Sequence, residues 1–236
     1  MLTLDNLRLT QNDWHLEANL NIEQGQHTAL IGPSGAGKST LLAAIAGLFA
    51  PERGRVLWQG QDLVQIPPGK RPLSILFQDQ NLFPHLSIAQ NLGLGISPRL
   101  RLSPEDHQRI ENVLAATGLQ DLGTRRPAEL SGGQQSRAAL ARALLRNRPL
   151  LLLDEAFAAL GPALKTEMLH LTETLARHHD FTILMVTHDP EDARQLCPQT
   201  ILVAEGRAYP PEPTDRLLSH PPEALRRYLG TSASSC

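Results

Sequence analysis

Cysteine is nearly absent: two residues, Cys197 and Cys236, in a chain of 236. That is too few for a disulfide framework, and a reducing compartment is the simplest expectation. Long apolar runs are missing as well. No stretch approaches the roughly 20 residues a membrane-crossing helix needs, so any membrane association is expected to go through a partner. Neither sign of charge is in surplus. The formal net charge of −2 gives no reason to expect nucleic-acid binding as the main activity. The stretch Met1 to Asp5 has no basic region leading into an apolar segment, so no signal peptide is expected. No internal repeat is visible. With 41% hydrophobic and 19% charged residues, the composition is globular rather than disordered, and the length allows one or two domains.

One stretch organises the rest: Gly32-Pro33-Ser34-Gly35-Ala36-Gly37-Lys38-Ser39-Thr40. An apolar run, Thr28–Ile31, precedes it, and an apolar-periodic segment, Leu41–Leu48, follows. Strand, glycine loop, helix is the context a phosphate-binding loop requires. A chain that wraps an anion must turn its N–H groups inward, and glycine permits the backbone angles and the close approach. The helix starting near Lys38 adds unpaired N–H groups and the positive end of its dipole. The Lys38 ammonium can reach β- and γ-phosphates, the Ser39 hydroxyl can ligate Mg²⁺, and Thr40 supports the outer phosphates. The bland alternative is a glycine-rich turn that fits the pattern by chance. The flanking elements weigh against it, and nucleotide binding is the expectation.

Along the chain, His15–Ile22 alternates polar and apolar, which signals a half-buried strand, and Leu2, Leu4, Leu7 and Leu9 suggest an earlier strand of the same small antiparallel sheet. Glu23–Gln26 reads as a turn. Arg55–Gly60 and Leu73–Phe77 read as further strands. From about Asn81 to Arg148 the character becomes helical. Ser103-Pro104-Glu105-Asp106 starts a helix with an N-cap serine and proline at the first position, and Ile110, Val113 and Leu114 form its stripe. A second helix after Ser131 carries Leu140, Ala141, Leu144 and Leu145 inward. Leu150–Leu153 is apolar enough for a central parallel strand. A helix with Leu164, Met168, Leu171 and Leu175 on its core face follows, then strands at Thr182–Val186 and Thr200–Val203, the latter taken as the last. Pro210–Pro213 reads as a rigid spacer, Ala224–Leu229 as a short terminal helix, and Thr231–Cys236 as a disordered tail.

Two further groups carry chemistry. Asp154-Glu155 ends the apolar strand, where a carboxylate beside a phosphate loop can hold Mg²⁺ directly or through water. Glu155 projects differently and could polarise an attacking water. Two ionised carboxylates side by side favour a cation between them over a plain surface pair. Leu130-Ser131-Gly132-Gly133-Gln134 opens a helix that Ser131 can cap, and its glycines leave N–H groups accessible to an anion. A merely capped surface helix is the alternative.

Gly32–Thr40, Gln78, Leu130–Gln134, Leu150–Glu155 and His188 occur in the order, and at about the spacing, of an ABC transporter ATPase subunit. The resemblance covers essentially the whole chain, and the Leu130–Gln134 pentad is specific in this company. It implies an α/β fold: a P-loop NTPase with a RecA-like core, a small antiparallel β-subdomain and an inserted helical subdomain. The corresponding division is one ATPase domain over 1–230, with core 1–80 and 149–208, helical part 81–148, and a short C-terminal extension over 209–236. Two copies are implied to pack head to tail, each ATP lying between one copy's phosphate loop and the other's Ser131, Gly132, Gly133 and Gln134. On the matching positions, Lys38, Ser39 and Thr40 bind phosphates and Mg²⁺, with Asp154 supporting the metal. Glu155 resembles the general base and His188 the switch residue at the γ-phosphate. Gln78 resembles the loop glutamine that joins metal and attacking water to a transmembrane permease. Asp79–His85 resembles the surface that receives the permease, with Phe83 as its anchor.

Within the family, Arg71–Gln78, running on through Asn81-Leu82-Phe83 to Ala89–Gly95, is similar to the short importer ATPases, best to the thiamine-import branch; iron, sulfate and polyamine importers are the alternatives. With the sequence ending at Cys236, the regulatory C-terminal domain of longer sugar and polyamine importer ATPases is not expected. The implied partners are a permease and, indirectly, a periplasmic or surface solute-binding protein, with the chain held peripherally at the cytoplasmic face of the inner membrane. Three departures stand out. Gln11 occupies the place of the usual adenine-stacking aromatic, with Trp14 the nearest substitute. Gly161 stands where an aspartate is usual, and Ala156 where a proline is usual. The expectation is weaker cooperativity in ATP with catalysis retained. Rival readings are a non-transport ABC ATPase, which would need long insertions or a second cassette, and a hydrolysis-impaired assembly subunit. A P-loop kinase or GTPase would need an acceptor site or an Asn-Lys-x-Asp motif, and neither is present. His170, His178 and His179 form a solvated helix end rather than a metal site, and Arg226-Arg227 is a poor membrane signal.

Overall fold

Strict alternation builds the first sheet in this computed structural model, which describes residues 1–79 and 81–229. β1 (Leu2–Gln11) buries Leu2, Leu4, Leu7 and Leu9, and β2 (Trp14–Ile22) buries Leu16, Ala18, Leu20 and Ile22. The two pair antiparallel, and a bulge between Leu4 and Leu7 returns Leu7 to the inner face. β3 (His27–Ile31) then enters the core, and α1 (Lys38–Ala46) leaves it after the glycine loop. β4 (Arg53–Trp58) pairs with β1 and β5 (Gln61–Asp62) with β4, closing the small sheet. β6 (Leu73–Phe77) returns to the core.

Three helices follow: α2 (Ile88–Gly93), α3 (Pro104–Ala116) and α4 (Gly132–Leu145). Ser103 caps α3 in a reciprocal box with Asp106, and Pro104 takes the first turn. Ile88, Leu92, Ile110, Leu114, Leu119, Leu130 and Leu145 make a separate cluster, each large side chain contributing about 1.5–3 kcal/mol by leaving water. α4 also turns Ala139, Leu140, Ala143 and Leu144 into the α/β core. One helix thus lines two cores.

The chain returns through β7 (Leu150–Asp154), α5 (Pro162–His179), β8 (Thr182–Val186), α6 (Pro190–Leu196) and β9 (Gln199–Ala204). β9, β3, β8, β7 and β6 run parallel in that order, so β7 lies between two partners, as its unbroken leucines require. β9 is not the last strand. β10 (Arg207–Ala208) pairs parallel with β2 and antiparallel with β9, stitching the two sheets into one. β11 (Glu212–Pro213) sets Glu212 opposite Thr200, so the expected proline spacer is partly a strand. The extended backbone proline favours is compatible with a sheet edge. α7 (Thr214–Ser219) and α8 (Glu223–Leu229) are the last described elements.

The core face of α5 is rotated from expectation. Met168, Leu169, Thr172 and Ala176 are buried, whereas Leu164, Leu171 and Leu175 are half-buried on its flank. The helix sits over the strands along an i, i+1, i+4, i+8 line, which the run of leucines does not reveal. Cys197 is fully buried and its thiol is pushed well above the usual range by that burial. Cys236 and the expected tail lie outside the described residues, as do the side chains of His178 and His179.

Arg71 fastens α1 to the strand region. Its guanidinium, 3% exposed, donates to Ala44 O at 2.9 Å and Ile45 O at 2.7 Å, in the last turn of α1. It also donates to Ile66 O at 2.9 Å and Val64 O at 3.3 Å. Gly47 ends α1 at φ 83°, and any Cβ there would overlap this guanidinium.

Candidate functional site

β3 delivers the chain into the glycine loop, and the loop is shaped by what surrounds it. Gly32 passes so close to the Val203 carbonyl that no Cβ fits. Gly35 turns at φ 76° with open space over it, and Gly37 at φ 101° starts α1 without any capping side chain. The first turn of α1 carries no acidic residue, so its unpaired N–H groups and dipole end are available to an anion. Lys38 is 7% exposed, and its Nζ donates to Gly32 O at 2.7 Å and Pro33 O at 2.9 Å. Burial holds its pKa below the usual lysine range, opposed by the carboxylates of Glu155 and Asp154. A cleft of about 320 Å³ opens here, lined by Ser34, Gly35, Gly37, Ser39, Thr40 and Glu155, with Gln11 and Trp14 at its side. The Trp14 ring lies directly on Gly37, where a Cβ would overlap it. An open glycine cradle with a buried ammonium beneath fits a phosphate chain.

The parallel register brings the second group to the same place. Phe77 pairs with Asp154, and Asp154 with Val186, so the residues following β6, β7 and β8 converge beyond one edge of the sheet. Ligands of open α/β sheets bind at such carboxyl ends. Ser39 Oγ donates to Asp154 Oδ1 at 2.8 Å. Ser39, Gln78, Asp154 and Glu155 line a second cleft of about 260 Å³ adjoining the first. These are oxygen donors, the set a hard cation such as Mg²⁺ takes. Burial raises the Asp154 pKa above the ordinary carboxylate value; the Ser39 bond lowers it, Glu155 raises it and Lys38 lowers it. Glu155 sits at φ 49°, a left-handed conformation that costs about 1 kcal/mol or more in a non-glycine residue. Its N–H donates to Val186 O at 3.1 Å, and its Oε2 lies 3.6 Å from Nδ1 of His188.

His188 is 57% exposed, on a loop held from beneath. Lys165 of α5 pairs with Asp189 and, at 2.8 Å, with Asp192. Thr187 Oγ1 donates to Asp192 Oδ2 at 3.0 Å. Sequence reasoning missed Lys165, because its partners lie 24 and 27 positions away with no motif connecting them; the acidic pair just after His188 was the available signal.

The pentad is intact but elsewhere. Ser131 Oγ accepts from Gln134 N at 3.3 Å, and Gln134 Oε1 accepts from Ser131 N at 3.0 Å, a closed capping box. Gly132 faces open space, while Gly133 packs on Leu164. None of Ser131, Gly132, Gly133 and Gln134 lines either cleft. Gly161 begins α5 in ordinary extended backbone with nothing within 4 Å of a Cβ, so the fold itself does not demand glycine there. A separate surface cavity of about 530 Å³ between Asn6, Glu17, Arg53 and Arg207 contains none of these residues.

A glycine loop between a parallel strand and a helix, with a carboxylate at the end of a neighbouring strand, defines a P-loop nucleotide-binding protein. The chain belongs to the ABC transporter family, whose model matches residues 16–158. It is 61% identical over 230 residues to the thiamine import ATP-binding protein ThiQ of Cereibacter sphaeroides, covering 98% of this chain and 100% of the relative. The ThiQ of Ruegeria sp. is 55% identical over the same shares, and that of Salmonella paratyphi A is 47% identical over 93% of each chain. The ATP-binding cassette MJ0796, solved as a dimer in a post-hydrolysis state bound to ADP and Pi, superposes with a TM-score of 0.78 at 30% identity. That match covers 91% of this chain and 99% of the solved one.

Proposed function

We propose that this chain is the ATP-hydrolysing subunit of an import complex that takes up thiamine through a membrane permease. The observation that carries the ATPase reading is the convergence of Ser39, Gln78, Asp154 and Glu155 on one cleft beside the glycine cradle. The thiamine reading is supported by the full-length similarity to thiamine import ATP-binding proteins.

In this reading the triphosphate lies along Gly32–Thr40, and Lys38 exchanges its two loop carbonyls for phosphate oxygens. Ser39, Asp154 and Gln78 would hold Mg²⁺, which when bound neutralises charge on the β- and γ-phosphates. Glu155 orients a water in line with the γ-phosphorus and takes its proton as the new P–O bond forms. The bond to the β-phosphate oxygen breaks, leaving ADP and phosphate. His188, beside Glu155, contacts the γ-phosphate. Trp14, already seated over the loop, flanks the nucleotide in the aromatic's stead. Ser131–Gln134 completes the site from a second copy, since the chain's own pentad lies outside both clefts. The dimeric cassette similar to this chain supports that arrangement. The permease docks in the groove of about 440 Å³ between Ile75, Phe77, Phe83, Leu94, Arg142 and Arg146, where Phe83 is 46% exposed. No described helix is long and apolar enough to cross a membrane, consistent with a peripheral place at the cytoplasmic face, below a permease and its solute-binding protein.

The test is Mg-ATP hydrolysis by the full chain with and without its permease, together with uptake of labelled thiamine. Glu155→Gln is expected to keep ATP binding and lose about 10²- to 10⁴-fold in kcat, and Lys38→Ala to lose ATP binding. Parent-like turnover in Glu155→Gln would overturn the assignment of the base.

A further inference from the structure

The C-terminal helix α8 reaches the loop that carries His188. Tyr228 Oη donates to the His188 carbonyl oxygen at 3.0 Å, across 40 residues of chain. α8 is fixed for that contact: Leu225 is fully buried, and Ala224 and Tyr228 pack against the α/β core.

The bond matters because of what else holds that peptide unit. The His188 carbonyl and the Asp189 N–H are two ends of one peptide plane. The Asp189 N–H donates to Thr187 Oγ1 at 3.1 Å. Thr187 is in turn fixed by its own N–H to Leu30 O at 3.3 Å and by its hydroxyl to Asp192. With both ends of the plane tied, the imidazole has only its two side-chain torsions left. Without Tyr228 the plane is held at one end and can rock about it. Burial, and the carboxylates of Glu155 and Asp189, push the phenol above its ordinary pKa. It therefore remains protonated, and a donor, at neutral pH.

We infer that Tyr228 is a positioning residue for His188, making the terminal helix part of the device that senses the γ-phosphate. This rests on the reading of His188 given above. Tyr228 lines neither cleft; among the acidic pair, the Glu155 carboxylate acts on its phenol through charge. Its contribution therefore falls on turnover and not on nucleotide capture.

The test compares the full-length parent, Tyr228→Phe and His188→Ala in Mg-ATP hydrolysis, with thermal melts and the ring resonances of labelled histidine. Tyr228→Phe keeps the ring and removes only the donor. The expected result is a fall in kcat of about 3- to 10-fold, the size of one neutral hydrogen bond, with KM within about twofold. The His188 ring signal, identified by its loss in His188→Ala, should shift or broaden. Unchanged kcat in Tyr228→Phe while His188→Ala is inactive overturns the positioning role and leaves the site reading standing. Parent-like turnover in His188→Ala overturns the site reading and the inference with it. A drop in kcat accompanied by a lower Tm, a raised KM and an unmoved ring signal would make Tyr228 a packing residue, which also overturns it.

Discussion

Asp154 shows at the scale of one residue how the site is held at the expense of the fold. Its pKa is raised by burial, so folding favours the protonated form. That contribution is complete below the ordinary carboxylate pKa and disappears as pH rises through the raised value. At neutral pH the ionised carboxylate is therefore a net cost to stability. Asp154→Asn, which keeps an oxygen for the Ser39 hydroxyl, is expected to raise Tm by about 1–3 °C while abolishing Mg-ATP turnover. The gain should vanish in melts at acid pH, where the parent's carboxyl is protonated. Glu155 carries a different cost, the φ of 49° that turns its carboxylate toward both clefts. Neither property is written in the dipeptide. Sequence order identified the two carboxylates, but desolvation and backbone angle depend on Ser39 and Val186, 115 and 31 positions away. Trp14 is similar: its nearness to the site was visible from the sequence, its seat on Gly37 was not.

At the scale of elements, the strands with clear patterns were legible. Period-two alternation gave β1 and β2, and unbroken leucines gave β7 between two parallel neighbours. What escaped were pieces too short to have a period. β10 and β11 have two residues each and exist because β9 offers them an edge. The rotated face of α5 escaped because leucine count is a poor guide when alanine and threonine fill the contact. Arg71 was visible only as part of a motif leading to Gln78. Folded, it holds the last carbonyls of α1, the helix whose other end opens on the glycine cradle. Arg71→Met leaves the buried Ile45 carbonyl without a donor and Ala44 O with the Gly47 N–H alone, at 3.1 Å. The expected loss is about 3 kcal/mol, a fall in Tm on the order of 10 °C, read in thermal or urea unfolding.

For the whole molecule, the decisive fact is that the pentad lies outside the clefts its chemistry would serve. Lys38→Ala and Ser131→Arg should each be inactive alone. Mixed in equal amounts they should recover about one quarter of parental turnover, since half the pairs are mixed and each holds one undamaged site of two. Mixtures that stay inactive would mean that each chain completes its own site.

α4 is seated in two cores at once, with Ser131 at its head and Arg142 and Arg146 at the rim of the groove holding Phe83. Its 14 residues make a rod about 21 Å long. Because close-packed interiors do not yield gradually, a load placed on the groove cannot be absorbed by bending. It would swing the rod as a whole, and in the proposed dimer the serine at the far end would move with it toward or away from the second copy.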